Sequence, residues 1–132
     1  MPVAANPLKR DYFVYTFHVD GYPFYVGIGR DRRASDRLRY VRSLTPEKLK
    51  KKSLSVRVMA ALDGRACIEY SCTKMPLNRT QALALEKMTI EEFIREGYLL
   101  TNWQHNPFRH NDTDKAVRAI RRKMLTDRTC AA

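Results

Sequence analysis

A carboxylate that falls among apolar helix positions is the first feature of this chain suited to chemistry. Residues 79–96 read as a helix. It is opened by Asn78 and Gln81 in an Asn-x-x-Gln variant of the capping box and closed by Gly97. Leu83, Ile90 and Phe93 recur at helical spacing and define an inward stripe, and Glu86, three residues after Leu83, falls inside it. Glu91, Glu92 and Glu96 project at other angles and can stay solvated. Burying a carboxylate is costly unless it is paired, hydrogen-bonded or bound to a metal. Glu86 is therefore a residue at the stripe edge, the partner of an arginine, or a metal ligand or catalytic carboxylate.

Two tyrosines offer hydroxyls. The run Tyr12-Phe13-Val14-Tyr15-Thr16-Phe17-His18-Val19 is β-branched and aromatic, Asp20-Gly21 supplies a turn, and Pro23 to Ile28 reads as a second strand. Alternation puts Phe13, Tyr15 and Phe17 on one face, and a loop centred on Asp20 predicts Tyr15 and Tyr25 close to opposite one another. Core packing is the ordinary role of such tyrosines. Here they are followed by Gly27-Ile28-Gly29, an arginine-rich helix and the inward Glu86, a combination that points to a site.

Those residues resemble the GIY-YIG nuclease family. Phe13-Val14-Tyr15 stands in the place of the first motif and Tyr25-Val26-Gly27 closely matches the second, with nine residues between the tyrosines. Gly27-Ile28-Gly29-Arg30-Asp31-Arg32-Arg33 aligns without gaps with the G-K-G-x-x-x-R run of one branch, which puts Arg33 on the family's catalytic arginine. Ala82 to Lys87 looks like the helix with the metal-binding glutamate, and Leu99 to Asn102 like the segment ending in the characteristic Asn. The resemblance implies a divalent-metal-dependent endonuclease that hydrolyses phosphodiester bonds in DNA. Its catalytic set would be Tyr15, Tyr25, Arg33, Arg37, Glu86 and Asn102, with Mg²⁺ or Mn²⁺ on Glu86. Tyr15, or less favourably Tyr25, would take or relay the proton of the attacking water, Arg33 would grip the scissile phosphate, and Asn102 would buttress the site. Phe13, Ile28 and Arg37 stand where many members have Gly, Lys and His. Ile28 and Arg37 motivate the alternative, a catalytically silent nucleic-acid-binding module of the same fold.

The remaining elements must position these groups. A helix from Asp31 buries Ala34, Leu38 and Val41; a second runs from Thr45-Pro46-Glu47 toward Leu62; a third strand covers Arg65 to Thr73. A terminal helix capped by Asn111-Asp112, within 111–126, turns Val117, Ile120 and Met124 inward and Arg118, Arg121 and Arg122 largely outward. The order β-β-α-α-β-α-α predicts an α+β fold, a small three-stranded antiparallel sheet flanked by helices. The 132 residues suit one domain over 1–132, with residues 12–102 as the nuclease-like core.

Charge indicates the partner. The net +11 comes mainly from residues 30–57, at +8, and from residues 99–132, at +4. Arg30, Arg32, Arg33, Arg37, Lys50, Lys51, Lys52, Arg118, Arg121 and Arg122 form the expected phosphate-backbone footprint. Cys67, Cys72 and Cys130 show no zinc-finger spacing and are expected as buried, reduced thiols. No apolar run approaches the roughly 20 residues of a membrane span, and the first residues lack a secretory stretch, so a soluble cytoplasmic protein with no membrane partner is expected.

Overall fold

The aromatic, β-branched run from Tyr12 forms β1 (Tyr12–Val19), and the chain returns as β2 (Tyr22–Arg30). The structure, a computed structural model, describes residues 9–64, 68–107 and 112–130. Asp20 and Gly21 both have positive φ, 49° and 83°, the turn geometry whose twist matches the strands it joins. Val19 pairs with Tyr22 and His18 with Pro23, but Phe17 pairs with Tyr25, so Phe24 is an extra residue in a bulge. The bulge sets Tyr15 opposite Gly27. The tyrosines are thus diagonal neighbours on one face and not nearly opposite, which corrects the expectation from a simple loop centred on Asp20. β3 (Ile68–Cys72) pairs antiparallel with β1 and completes the order β2-β1-β3. The expected start of that strand, with Cys67, lies outside the described residues. Cys72 is an exposed free thiol and not a buried one; the side chain of Cys130 lies outside the described residues.

The helices follow their local signals with one exception. α1 (Arg33–Ser43) buries Ala34, Leu38 and Val41 as their spacing predicts, starting after Arg32, whose φ of 67° is not helical. The single helix expected from Pro46 to Leu62 is two, α2 (Pro46–Leu49) and α3 (Leu54–Asp63). Between them the Lys51 and Lys52 amides donate to the carbonyls of Lys48 and Leu49, three residues back, which tightens the chain out of the α-helix. α4 (Arg79–Arg95) has the reciprocal capping box: the Gln81 amide donates to Asn78 Oδ1 at 2.8 Å and the Asn78 amide to Gln81 Oε1 at 3.1 Å. Gly97 closes it at φ 91°. α5 (Thr113–Cys130) is capped by Asp112, whose Oδ1 accepts from the Lys115 amide at 3.1 Å; Asn111 lies outside the described residues.

The fold is therefore α+β, a three-stranded antiparallel sheet covered by helices on both faces. On one face Tyr15, Phe17 and Val19 pack with residues of α1, α3 and α5, among them Leu38, Met59 and Ile120. On the other, Val14 and Val26 pack with Ala82 and Ile90 of α4 and with Leu100. This division follows from side-chain alternation along β1. Leu83, expected inward, is 42% exposed. The buried face of α4 is centred on Ala82 and Ile90 instead, and Glu86 lies one turn from each of them. Among the described residues no helix is long and apolar enough to cross a membrane.

Candidate active site

Two glycines of β2 make room for two side chains that cross it. A Cβ on Gly27 would stand 2.6 Å from both Cζ and Oη of Tyr15, and a Cβ on Gly29 would stand 2.5 Å from the Arg33 Cβ, closer than packed carbon atoms approach. The Tyr15 ring and the Arg33 stem thus occupy space that any other residue at 27 or 29 would fill. Tyr15 is buried, and Arg33, at the start of α1, lines one cleft with it. Burial raises the Tyr15 pKa above its ordinary value, with Tyr25 adding to the rise, while Arg37 and Arg33 act against it.

Arg37, one turn further along α1, joins this group to the next. Its guanidinium lies over the Tyr25 ring, 4.7 Å from the centroid, and Nη2 donates to Ser55 Oγ at 3.2 Å. Ser55 Oγ is in turn 3.2 Å from Ser53 Oγ. Among the described residues, the Nε atoms of Arg37 and Arg57 are buried without a hydrogen-bond partner.

At the β2 edge a cleft of about 440 Å³ is lined by Tyr25, Ser53, Arg57, Glu86, Asn102 and Trp103. Glu86 is half-buried, and loss of water pushes its pKa up, opposed by His105. It makes no ion pair with Lys or Arg among the described residues. Asn102 is buried and closes a reciprocal pair with the main chain of β2: the Val26 amide donates to its Oδ1 at 3.0 Å, and its Nδ2 donates to the Val26 carbonyl at 2.7 Å. With both polar ends taken, Asn102 is a clamp that fixes the cleft wall. Among the described residues Glu86 belongs to no cluster of three or more His, Cys, Asp or Glu side chains. One desolvated carboxylate without a Lys or Arg partner could hold a single hard cation completed by water and phosphate oxygens, the way Mg²⁺ is commonly held. It does not fit a cage made of protein ligands.

The expected residues thus fall into linked groups. Tyr25, Glu86 and Asn102 share the large cleft; Tyr15, Arg30, Arg32 and Arg33 line a second of about 220 Å³; Arg33 and Arg37 line a third of about 360 Å³. Arg37, stacked on Tyr25, bridges the groups. Arg30 is engaged with Asp11 at 3.1 Å, and Lys52 lies over the Tyr40 ring at 5.3 Å, whereas Arg32, Lys50 and Lys51 are exposed. On α5, Arg118 and Arg122 are exposed, but Arg121 is partly covered, contrary to the outward expectation. Sequence reasoning missed Arg57, Ser53, Trp103 and His105 as residues of the site. The available signals were an arginine between the buried Val56 and Val58, and a lone tryptophan directly after Asn102. No protein-family model matches the chain, and comparison with curated proteins and with solved structures likewise gives no match.

Proposed function

We propose that this chain is a divalent-metal-dependent endonuclease of the GIY-YIG type that hydrolyses phosphodiester bonds in DNA. The observation that supports the reading most directly is Glu86, a half-buried carboxylate without a Lys or Arg partner among the described residues, facing a cleft shared with Tyr25 and Arg57. A structural glutamate in so basic a chain would be expected to recruit one of the 25 lysines and arginines. Held open, it suits a cation.

In this reading Arg33 grips the scissile phosphate, its planar fork matching two phosphate oxygens. Tyr15 lines the same cleft, with its hydroxyl in the field of that arginine. Because burial keeps the phenol protonated at neutral pH, Tyr15 orients the attacking water and relays its proton; it is not a standing phenolate base. Arg37 and Arg33 supply the positive field that favours transient proton loss. Glu86 would hold the Mg²⁺ or Mn²⁺, which when bound supplies charge stabilisation for the departing oxyanion. Asn102 and the two glycines keep the parts in register.

The silent-module alternative draws on Ile28, which packs with the apolar cluster under α4, and on Arg37, whose Nη2 is already bonded to Ser55. Plasmid and oligonucleotide cleavage with Mg²⁺, Mn²⁺ or EDTA decides between them. The expected result is metal-dependent cutting that Glu86→Ala abolishes with DNA binding nearly intact. Binding by the wild type without cutting favours the silent module, and cutting by Glu86→Ala at the wild-type rate removes the metal-site assignment.

A further inference from the structure

The cleft that holds Glu86 contains two residues that the proposed chemistry does not use. Trp103 is 59% exposed although it follows the buried Asn102 directly and lines the cleft wall. Its neighbour is held hard against β2 by the paired bonds to Val26, and the Asn102 carbonyl also accepts from Asn106 Nδ2 at 2.9 Å. The indole is therefore presented from a fixed backbone, at a position where exposure of so large an apolar surface gains nothing for folding. Arg57, in the first turns of α3, lines the same cleft, and its Nε is buried with no hydrogen-bond partner among the described residues. A buried donor left unpaired is costly, and an anionic oxygen entering the cleft would satisfy it. Ser53, also on the wall, adds a hydroxyl that can donate to the same kind of oxygen.

A π-face and a cation with an unfilled donor, both lining one cleft of about 440 Å³, are complementary to a nucleotide: base on the ring, phosphate on the guanidinium. Continuous duplex does not offer this combination, since its bases are stacked on each other and only their edges and the phosphates face outward. An unpaired or splayed strand does. We propose that the cleft beside Glu86 is a subsite for single-stranded or splayed DNA, in which Trp103 stacks on one unpaired base and Arg57 takes the adjoining phosphate. The inference deepens the nuclease reading, resting on it for the class of ligand and not on the cleavage step.

Trp103 is the chain's single tryptophan, so its emission reports on this cleft alone. The full chain in EDTA is titrated with three dye-labelled DNAs of one length: oligothymidylate of about 12 nucleotides, within the roughly 4–16 nucleotides that single-strand sites span, a forked duplex and a blunt duplex. Dye anisotropy measures binding, and tryptophan emission measures stacking. Quenching by the single strand and the fork, with little by the blunt duplex at matched saturation, is the expected result. Trp103→Ala should weaken single-strand binding about tenfold or more, and Trp103→Phe should restore most of it. Arg57→Ala should reduce affinity and lower the single-strand salt slope by roughly 0.7 while leaving the quench at saturation unchanged. Equal quenching by the blunt duplex, or binding of the single strand without quenching, overturns the subsite. Flat anisotropy with all three DNAs overturns it together with the nucleic-acid reading. A parallel cleavage assay in Mg²⁺ separates the two claims: quenching without cutting leaves the subsite standing and removes the nuclease, and cutting of duplex without quenching does the reverse.

Discussion

Tyr15 and Glu86 are both held partly out of water, and in each case burial favours the protonated form, with opposite consequences for activity and stability. A Tyr15 kept protonated passes on a proton more easily as the pH rises, so the cleavage rate should climb with pH into the alkaline range. Tyr15→Phe should flatten that limb and slow cutting by about 10²-fold or more. The variant's unfolding midpoint should barely move, because the ring stays packed and Arg33 beside it is exposed and solvated with or without the hydroxyl. A large loss of stability with cutting retained would make Tyr15 a core residue only. For Glu86 the folded state binds the proton more tightly than the unfolded chain does, so its contribution is most favourable in acid and is lost as pH rises through the raised folded value. Glu86→Gln cannot lose a proton. In EDTA its melting temperature should equal that of the wild type near about pH 4, where model carboxylates titrate, and exceed it at pH 7. Adding Mg²⁺ at pH 7 should then raise the wild-type midpoint and leave that of Glu86→Gln unmoved. A wild-type midpoint indifferent to Mg²⁺ and Mn²⁺ would count against the metal assignment without any reference to cleavage.

At the scale of elements, β2 serves the site through what it lacks. Gly27 and Gly21 sit in the same hairpin but for different reasons: Gly21 has φ 83° and open space around it, whereas Gly27 has Tyr15 lying across it. Gly21→Ala should therefore cost roughly 1 kcal/mol of stability through backbone strain alone and leave cutting per folded molecule intact. Gly27→Ala should cost about 1–3 kcal/mol by overpacking and abolish cutting as well, because the ring that must move is Tyr15. Denaturant unfolding with cleavage corrected for the folded fraction separates the two, and equal behaviour of the variants would contradict the cradle. What could be read in advance at this scale was whatever is local. The Asp20-Gly21 turn, the Ala34-Leu38-Val41 stripe, the Asn78/Gln81 box and the Gly97 stop depend on neighbours a few residues away. The bulge at Phe24 was illegible because Pro23 to Val26 is apolar throughout, so no alternation betrays a register shift. The break between α2 and α3 was hidden because lysine suits a helix; only Ser53, a second capping type eight residues after Thr45, hinted at a new start. Ser53 and Arg57, which line the cleft wall, lie just after that unrecognised break. Glu86 is half-buried although Leu83, the first member of the stripe it was read from, is exposed, because the buried Ala82 and Ile90 lie one turn to either side of it.

Over the whole molecule, the proposed nuclease reading puts affinity and chemistry in different places. The arginines nearest the tyrosines come from α1, the exposed Lys50 and Lys51 from the connection between α2 and α3, and a second basic set from α5. α5 is anchored by Ala116, Val117 and Ile120, which share a core cluster with Val58, Met59 and Leu62 of α3. α3, which carries Arg57, thus also carries α5, and in the proposed reading a DNA strand leaving the cleft would continue along α5. If it does, Arg121→Ala with Arg122→Ala should weaken DNA binding about equally for all sequences and lower the duplex salt slope by roughly one to two units, since each phosphate contact contributes about 0.9. The lower end is favoured because Arg121 is already partly covered. Cleavage at saturating substrate should stay at the wild-type rate, because neither residue lines a cleft with the tyrosines or Glu86. The matched comparison is Lys50→Ala with Lys51→Ala, which removes the same charge from the other basic segment. If only the lysine pair lowers the slope, the binding track is confined to the segment between Arg30 and Arg57, and the cationic face of α5 serves solubility rather than DNA binding.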